Sequence, residues 1–470
     1  MLSIRGLAVV VLLSAVAGRA SADDPTPPRF RTETVWVDAP PLRHHLSHTL
    51  FVNRCVGGCD ITPGDNDART NTSSIAPAAT TITEFNLGDE IFDATIACLR
   101  DVYQPYDVDI VTEDPGTEVF HHEAILAGYP EEMGRDALVG GVAPASCMPL
   151  DNVMSFSFAN SLGEGISGDR LIETLCWTLA QESAHSFGLP NHVYDCLDPM
   201  TYLPLPGDPW CGRKYFRNRG IQCGDFEPSA SCNCGGSEQN SHRELLAAFG
   251  EGETVAPPTV AISLPAPDAQ VSDKFSIFFN AVDPRLVSYV EVWLNGTRYF
   301  NLAGKDYFSQ DEVYSAEAPE HPDGYIDLEI RACNELMSCA SATVTVLKGS
   351  PCSEDSQCFD HMTCEDGRCK YPPPSGELGD SCDYDQYCLT GICANADSDG
   401  ICSQACNPGV EDACPSGLEC NDQGECYSES GGGCCTIAGG HDRDDRFPFV
   451  ALSLFAAVVL VLRLRARRPG

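Results

Sequence analysis

The residue types that can do chemistry concentrate in one stretch, Gln181-Glu182-Ser183-Ala184-His185-Ser186-Phe187-Gly188-Leu189-Pro190-Asn191-His192. It continues into Cys196-Leu197-Asp198-Pro199-Met200-Thr201-Tyr202. Imidazoles are strong zinc donors, and catalytic zinc takes three protein ligands with one position left open. A carboxylate beside such a metal takes the proton from its water as a carbonyl is attacked. His185, His192 and Glu182 are the residues of this stretch whose types can bind a metal or move a proton.

A helix must carry this set. Leu171, Ile172, Leu175, Leu179 and Ala180 recur at three- and four-residue steps, which predicts a helix over Asp169–Ala184. Residues four apart share a helical face, so Gln181 and His185 point the same way with Glu182 one step round. Gly188 accepts the left-handed conformation that ends a helix, and the turn after it brings His192 back toward that face. Upstream, Glu90–Tyr103 reads as a helix, and Tyr106–Val111 and Val153–Phe158 read as strands; Asn240–Phe249 reads as a late helix.

These residues resemble the metzincin family of zinc peptidases, whose motif is HExxHxxGxxH followed by a downstream Met-turn. Carried over position by position, the resemblance makes Glu182 the general base, His185 the second zinc ligand and Gly188 the turn glycine. Met200 matches the Met-turn residue under the metal, and Tyr202 sits two beyond it. The resemblance covers roughly residues 30–250 and implies an α+β domain, a zinc cofactor and a peptide or protein substrate. Two positions depart from the motif: Gln181 stands where the first histidine belongs, and His192 follows Gly188 by four residues rather than three. An amide oxygen lies outside the usual zinc donor set. Either Gln181 coordinates, or the shell is completed from elsewhere. His121 and His122 in "VFHHEAIL" and His44 and His45 are the candidates, and ordinary surface histidines are the plainer reading of both pairs.

The rest of the chain organises around cysteine. Of 26 cysteines in 470 residues, ten fall between residues 23 and 250, two in the next hundred, twelve in 352–426, and two in the tail. Each internal region has an even count and can close its own disulfides, which with the composition shifts supports three modules. Ala256-Pro257-Pro258 opens the second, and Tyr371-Pro372-Pro373-Pro374 divides the third. In residues 256–348, short β-branched runs at Val260–Leu264, Phe275–Val282, Tyr289–Leu294, Tyr325–Ile330 and Ala342–Leu347 predict a β-sandwich that resembles bacterial Ig-like domains. Asn295-Gly296 is a type I′ hairpin signal within it. Asn295-Gly296-Thr297 and Asn71-Thr72-Ser73 also match glycosylation acceptors. Residues 349–430 have few apolar residues between cysteines, so cross-links must substitute for a core. Zinc knuckles do not fit their spacing, and Asn395–Gly400 reads as an acidic turn rather than a calcium loop, since its twelfth position is Cys406.

The two ends place the chain. Residues 1–22, with Arg5, an apolar run from Gly6 to Gly18 and Ala20-Ser21-Ala22, form a signal peptide. Residues 431–470 carry Gly431-Gly432-Gly433-Cys434-Cys435, a polar spacer, an apolar helix over 447–462 and four arginines. This layout resembles the myxobacterial C-terminal sorting signal (MYXO-CTERM), which implies processing by a sorting machinery and anchoring through Cys434 or Cys435. The alternative is a plain transmembrane anchor with those cysteines disulfide-bonded, and in both cases the protein ends at a cell surface. A net charge of -39 repels phosphate backbones and excludes a nucleic-acid partner, while so many cysteines exclude a reducing cytosol.

The expectation is a multi-domain chain: an α+β metzincin-like domain at 23–252, the sandwich, a disulfide scaffold and the anchoring tail. Its expected function is a surface-anchored zinc metallopeptidase; the alternative is a pseudo-peptidase that binds or adheres without hydrolysis.

Overall fold

The structure, a computed structural model, describes residues 30–38, 46–204, 209–305, 313–394, 400–404, 414, 419–420 and 426–427. The leader, His44, His45, the 395–399 turn, Cys434, Cys435 and the apolar run at 447–462 lie outside them. The chain is multi-domain and β-rich, with several separate sheets and few helices. It divides into two compact units at Ser375/Gly376, beside the Pro372–Pro374 seam.

The first unit opens with a mixed sheet. Its strands are β1 (Arg31–Trp36), β2 (Thr49–Asn53), β3 (Asp109–Val111), β4 (His122–Leu126), β5 (Val139–Ala145) and β6 (Met154–Ser157), in the order β1-β5-β6-β4-β2-β3. All pairs are parallel except β5 with β6. Every residue of β4, β5 and β6 is buried, which is why these strands carry no polar alternation. Helices α1 (Asp89–Tyr103) and α2 (Gly168–Ser186) pack together and are stapled by Cys98–Cys176, and α2 lies across β4, β5 and β6. Two glycines let the layers close up. A side chain at Gly140 would strike Leu162 and Phe30, and one at Gly141 would come within 2.7 Å of Glu182. A third helix, α3 (Ser241–Phe249), follows, its first turn capped by the Asn240 side chain accepting from the Arg243 amide.

Between α2 and α3 the chain is mostly loop, and disulfides hold it: Cys196–Cys211, Cys223–Cys232 and Cys147–Cys234. With Cys55–Cys59, all ten cysteines of this module pair among themselves. Such pairing belongs to an oxidising environment.

Residues 259–348 form two sheets around a shared core. A three-stranded sheet contains β7 (Thr259–Leu264), β9 (Ser276–Val282) and β12 (Val313–Glu317). A five-stranded one contains β8 (Gln270–Val271), β10 (Val287–Leu294), β11 (Thr297–Ala303), β13 (Gly324–Asn334) and β14 (Cys339–Lys348). Ile277, Phe279, Val290, Val292, Leu328 and Ile330 fill the space between them, with Phe279 stacked on Tyr314. The hairpin at Asn295-Gly296 forms with positive φ at both residues, as a type I′ turn requires. This sandwich is seated on the first module by buried charge. Arg285 donates to the Asp101 carbonyl in α1 and lies 4.1 Å over the Tyr215 ring, and Arg217 pairs with Glu335 at 3.0 Å.

The cysteine-rich region closes with local bridges, Cys352–Cys364 and Cys358–Cys369 in the first unit and Cys382–Cys393, Cys388–Cys402 and Cys414–Cys426 in the second. Among the described residues, no helix is long and apolar enough to cross a membrane.

Candidate metal centre

Helix α2 runs two residues past the predicted end and delivers Gln181, Glu182 and His185 to the interior at 1%, 0% and 0% exposure. It stops where Gly188 adopts φ +95°. A side chain there would also meet the Met148–Pro149 backbone at 3.1–3.2 Å, so glycine is required twice over. The turn brings the Leu189 carbonyl back to accept from His185 Nδ1 at 2.8 Å. A carbonyl only accepts, so Nδ1 carries the proton and Nε2 keeps its lone pair. That Nε2 is buried without a partner.

His192 is tied in the same manner. Its Nδ1 lies 2.8 Å from an Asp225 carboxylate oxygen and its Nε2 3.4 Å from the Thr32 hydroxyl, and its ring is 5.1 Å from that of His185 and nearly perpendicular to it. Metal-ligating histidines hold their second nitrogen on a carbonyl or carboxylate in this way, which fixes tautomer and ring orientation. Gln181 completes the pattern. Its amide nitrogen donates to the Thr201 carbonyl at 3.1 Å, so its oxygen turns away from that contact, buried and unpartnered. Among the described residues no third histidine, cysteine or carboxylate joins His185 and His192 at metal-binding distance, and the cysteine groups that come close enough to one another are bridged as disulfides. Gln181, one turn before His185 on α2, offers an unpartnered buried oxygen on the same helical face.

The charges around these donors follow from burial. Burial pushes the Glu182 carboxyl well above the ordinary carboxylate range, while the nearby Thr32 hydroxyl pulls it part of the way back; neither Glu182 oxygen has a partner in hydrogen-bond geometry. Burial, reinforced by His192, pushes His185 down to about 3, so it stays a neutral donor. The hydrogen bond to His192 holds Asp225 below its usual value. Met200 is wholly buried, and its amide donates to Asp198, which also accepts from the Arg217 amide and the Ser241 hydroxyl. Asp198 thereby sets the turn that presents Thr201 to Gln181. Tyr202 lies 4.0 Å from the His192 ring and stacks on Phe226 at 5.2 Å. A cleft of about 880 Å³ opens beside His192, lined by Thr32, Thr34, Tyr202, Asp225, Phe226 and Glu227 among others.

The structure thus brings together Gln181, Glu182, His185, His192, Met200 and Tyr202. His121 and His122 stand apart and are buried rather than on the surface. His121 contacts the Val119 carbonyl, and His122 packs edge-on against Phe187, held neutral by burial with a pKa of about 3. Thr32, Gly141, Asp198 and Asp225 are site residues that sequence reasoning missed. The β-branched alternation of Arg31–Val37 was a usable strand signal for Thr32; Asp225, in a turn-rich loop, carried none.

No protein family profile matches the chain, and no curated protein does. Solved structures overlap it in pieces. A lytic polysaccharide monooxygenase from Jonesia denitrificans is 12% identical, over 18% of this chain and 60% of that one, with a TM-score of 0.16. Fibronectin(III)-like modules of CbhA from Clostridium thermocellum are 16% identical, over 21% of this chain and 50% of theirs, with a TM-score of 0.17. CopC from Methylosinus trichosporium OB3b is 12% identical, over 19% of this chain and 92% of that one, with a TM-score of 0.16. The chain spans half to three-fifths of the first two structures' length, and overlaps this slight assign no family.

Proposed function

We propose that this chain is an exported, surface-anchored zinc metallopeptidase of metzincin type, with an Ig-like sandwich seated behind the site and a MYXO-CTERM-type tail as anchor. The observation that carries the reading is the donor set. Gln181 Oε1 and His185 Nε2 are left without a partner, and His192 Nε2 meets the Thr32 hydroxyl at 3.4 Å, because the other polar atom of each side chain is held by a carbonyl or carboxylate. These three residues would hold zinc. When bound, the metal supplies a Lewis acid and a water whose pKa falls to about 7. Glu182 is the chain's proton carrier, taking a proton at its carboxylate and returning it to the leaving amine. The Tyr202 hydroxyl, in the lining of the cleft, is the donor for a substrate carbonyl, and Asp225 keeps His192 in the tautomer that ligation needs. The acidic surface and the local bridges of residues 349–430 suit an exported protein held away from a membrane.

The pseudo-peptidase reading draws on one feature, a neutral amide at the first ligand position. The deciding experiment uses the full chain expressed oxidatively, because Arg217 and Arg285 bind the first module to the sandwich. Zinc stoichiometry is measured, and casein cleavage is followed with and without a chelator. The peptidase reading expects one zinc, chelator-sensitive cleavage and tighter zinc binding in Gln181→His. A chain that holds zinc yet cleaves nothing is the pseudo-peptidase. No zinc in either form removes the metal reading.

A further inference from the structure

A general base at 0% exposure cannot meet a peptide bond. What closes over it is the segment that precedes the first module's core, strand β1, which pairs with β5 from Arg31 to Trp36 on the outer edge of the sheet. Gly140 and Gly141 of β5 give this region room: Gly141 lies against the Glu182 carboxylate and Gly140 against Phe30. Thr32 is the residue that reaches in. Its hydroxyl lies 3.4 Å from His192 Nε2 and donates to the Tyr202 hydroxyl at 3.3 Å, and its carbonyl accepts from Tyr202 at 2.5 Å. One threonine thereby stands beside a nitrogen of one ligand and ties up the Tyr202 hydroxyl, on a strand that touches α2.

We propose that β1 is a resident peptide ligand of this site, a strap whose Thr32 fills the place of a substrate's backbone and which must leave β5 before the site can work. The inference rests on the metal-centre reading above. The attachments are those of a removable element. β1 has a single strand partner, whereas β5, β6, β4 and β2 each have two. Beyond the ladder it is held by the Thr32 bonds to Tyr202 and His192, by the Glu33–Arg135 ion pair at 3.3 Å and by Phe30 and Val35 leaning on the core. An edge strand with one ladder opens locally at far less cost than the sheet it borders. Lifting it exposes the edge of β5, a row of backbone donors and acceptors that takes an extended peptide by strand addition.

Two measurements on the full chain test this. Hydrogen exchange on the unaltered protein is expected to show β1 amides exchanging through local opening, well before those of β4 and β6; exchange of β1 only with global unfolding overturns the strap. The second compares the unaltered chain with Glu33→Pro/Val35→Pro, since proline breaks strand pairing. Zinc uptake against a chromogenic chelator and casein cleavage are each expected to accelerate about tenfold or more, because the open fraction limits both. A folded proline variant that takes up zinc no faster overturns the proposal. Faster uptake without cleavage keeps the strap and removes the peptidase reading. If no form binds zinc, or the proline variant does not fold, the exchange result alone decides.

Discussion

The first module and the sandwich treat buried polar groups in opposite ways. In the first, Ser73, His122, Glu123, Ser157, Gln181, Glu182 and His185 each bury a polar atom with no partner, whereas among the described residues of 256–348 no side chain does. A buried group left unpaired costs roughly 1–3 kcal/mol, so a module that keeps several has given up stability that its neighbour has not. The sandwich instead buries Phe279, Val290, Val292 and Ile330 between two sheets and satisfies Asn295 and Asn334 with several bonds each. The difference separates a module built by packing alone from one that keeps unpaired polar groups inside, and residues 181–185 are among those it marks without any reference to a motif.

The largest expected effect comes from removing the base. Glu182→Gln should lower casein cleavage about a thousandfold, within the range for a general acid–base, with the melting temperature little changed, because the amide keeps the shape of the buried carboxyl. Loss of activity together with a large loss of stability would break the contrast between the modules. In the sandwich the same kind of truncation should act only on stability. Phe279→Ala should cost about 3–5 kcal/mol by denaturant unfolding, since its ring is fully buried against Tyr314.

Glu123 gives a pH test. Burial pushes its carboxyl up to about 8, although Asn53 donates to it. The folded protein therefore keeps this proton up to about pH 8, whereas the unfolded chain releases it above the ordinary value of 4.5. Stability should fall as pH rises through that window and level off above it. Glu123→Gln should flatten the fall, as read from melting temperature at pH 5 and pH 8. The smallest effect belongs to the surface of the sandwich. Asp327→Asn removes a partner of Arg368 whose side chain is 35% exposed and should cost no more than about 1 kcal/mol by denaturant titration.

Legibility in the sequence follows the same divide. The sandwich strands announce themselves through β-branched runs and Asn295-Gly296, because one face of each strand is buried and the turn demands positive φ at both residues. Helix α2 shows through its apolar period. Strand β5 does not: Val-Gly-Gly-Val-Ala-Pro-Ala reads as a loop, yet every residue is buried and the glycines exist to admit Glu182 and Phe30. Gln181 looks like a lost ligand in one dimension; only Thr201, twenty residues on, explains why its oxygen is left open. Thr32 and Asp225 come to His192 from 160 residues before it and 33 after it, a range at which local pattern holds no information.

The loop between α2 and α3 has a consequence for when this site exists. Met200, Tyr202 and Asp225 hang on chain with almost no regular structure, closed by Cys196–Cys211, Cys223–Cys232 and Cys147–Cys234. The wall that orients His192 therefore depends on these three bridges rather than on helix or sheet. It is complete only where cysteines are oxidised, so the redox state of the surroundings decides whether the arrangement around His192 forms.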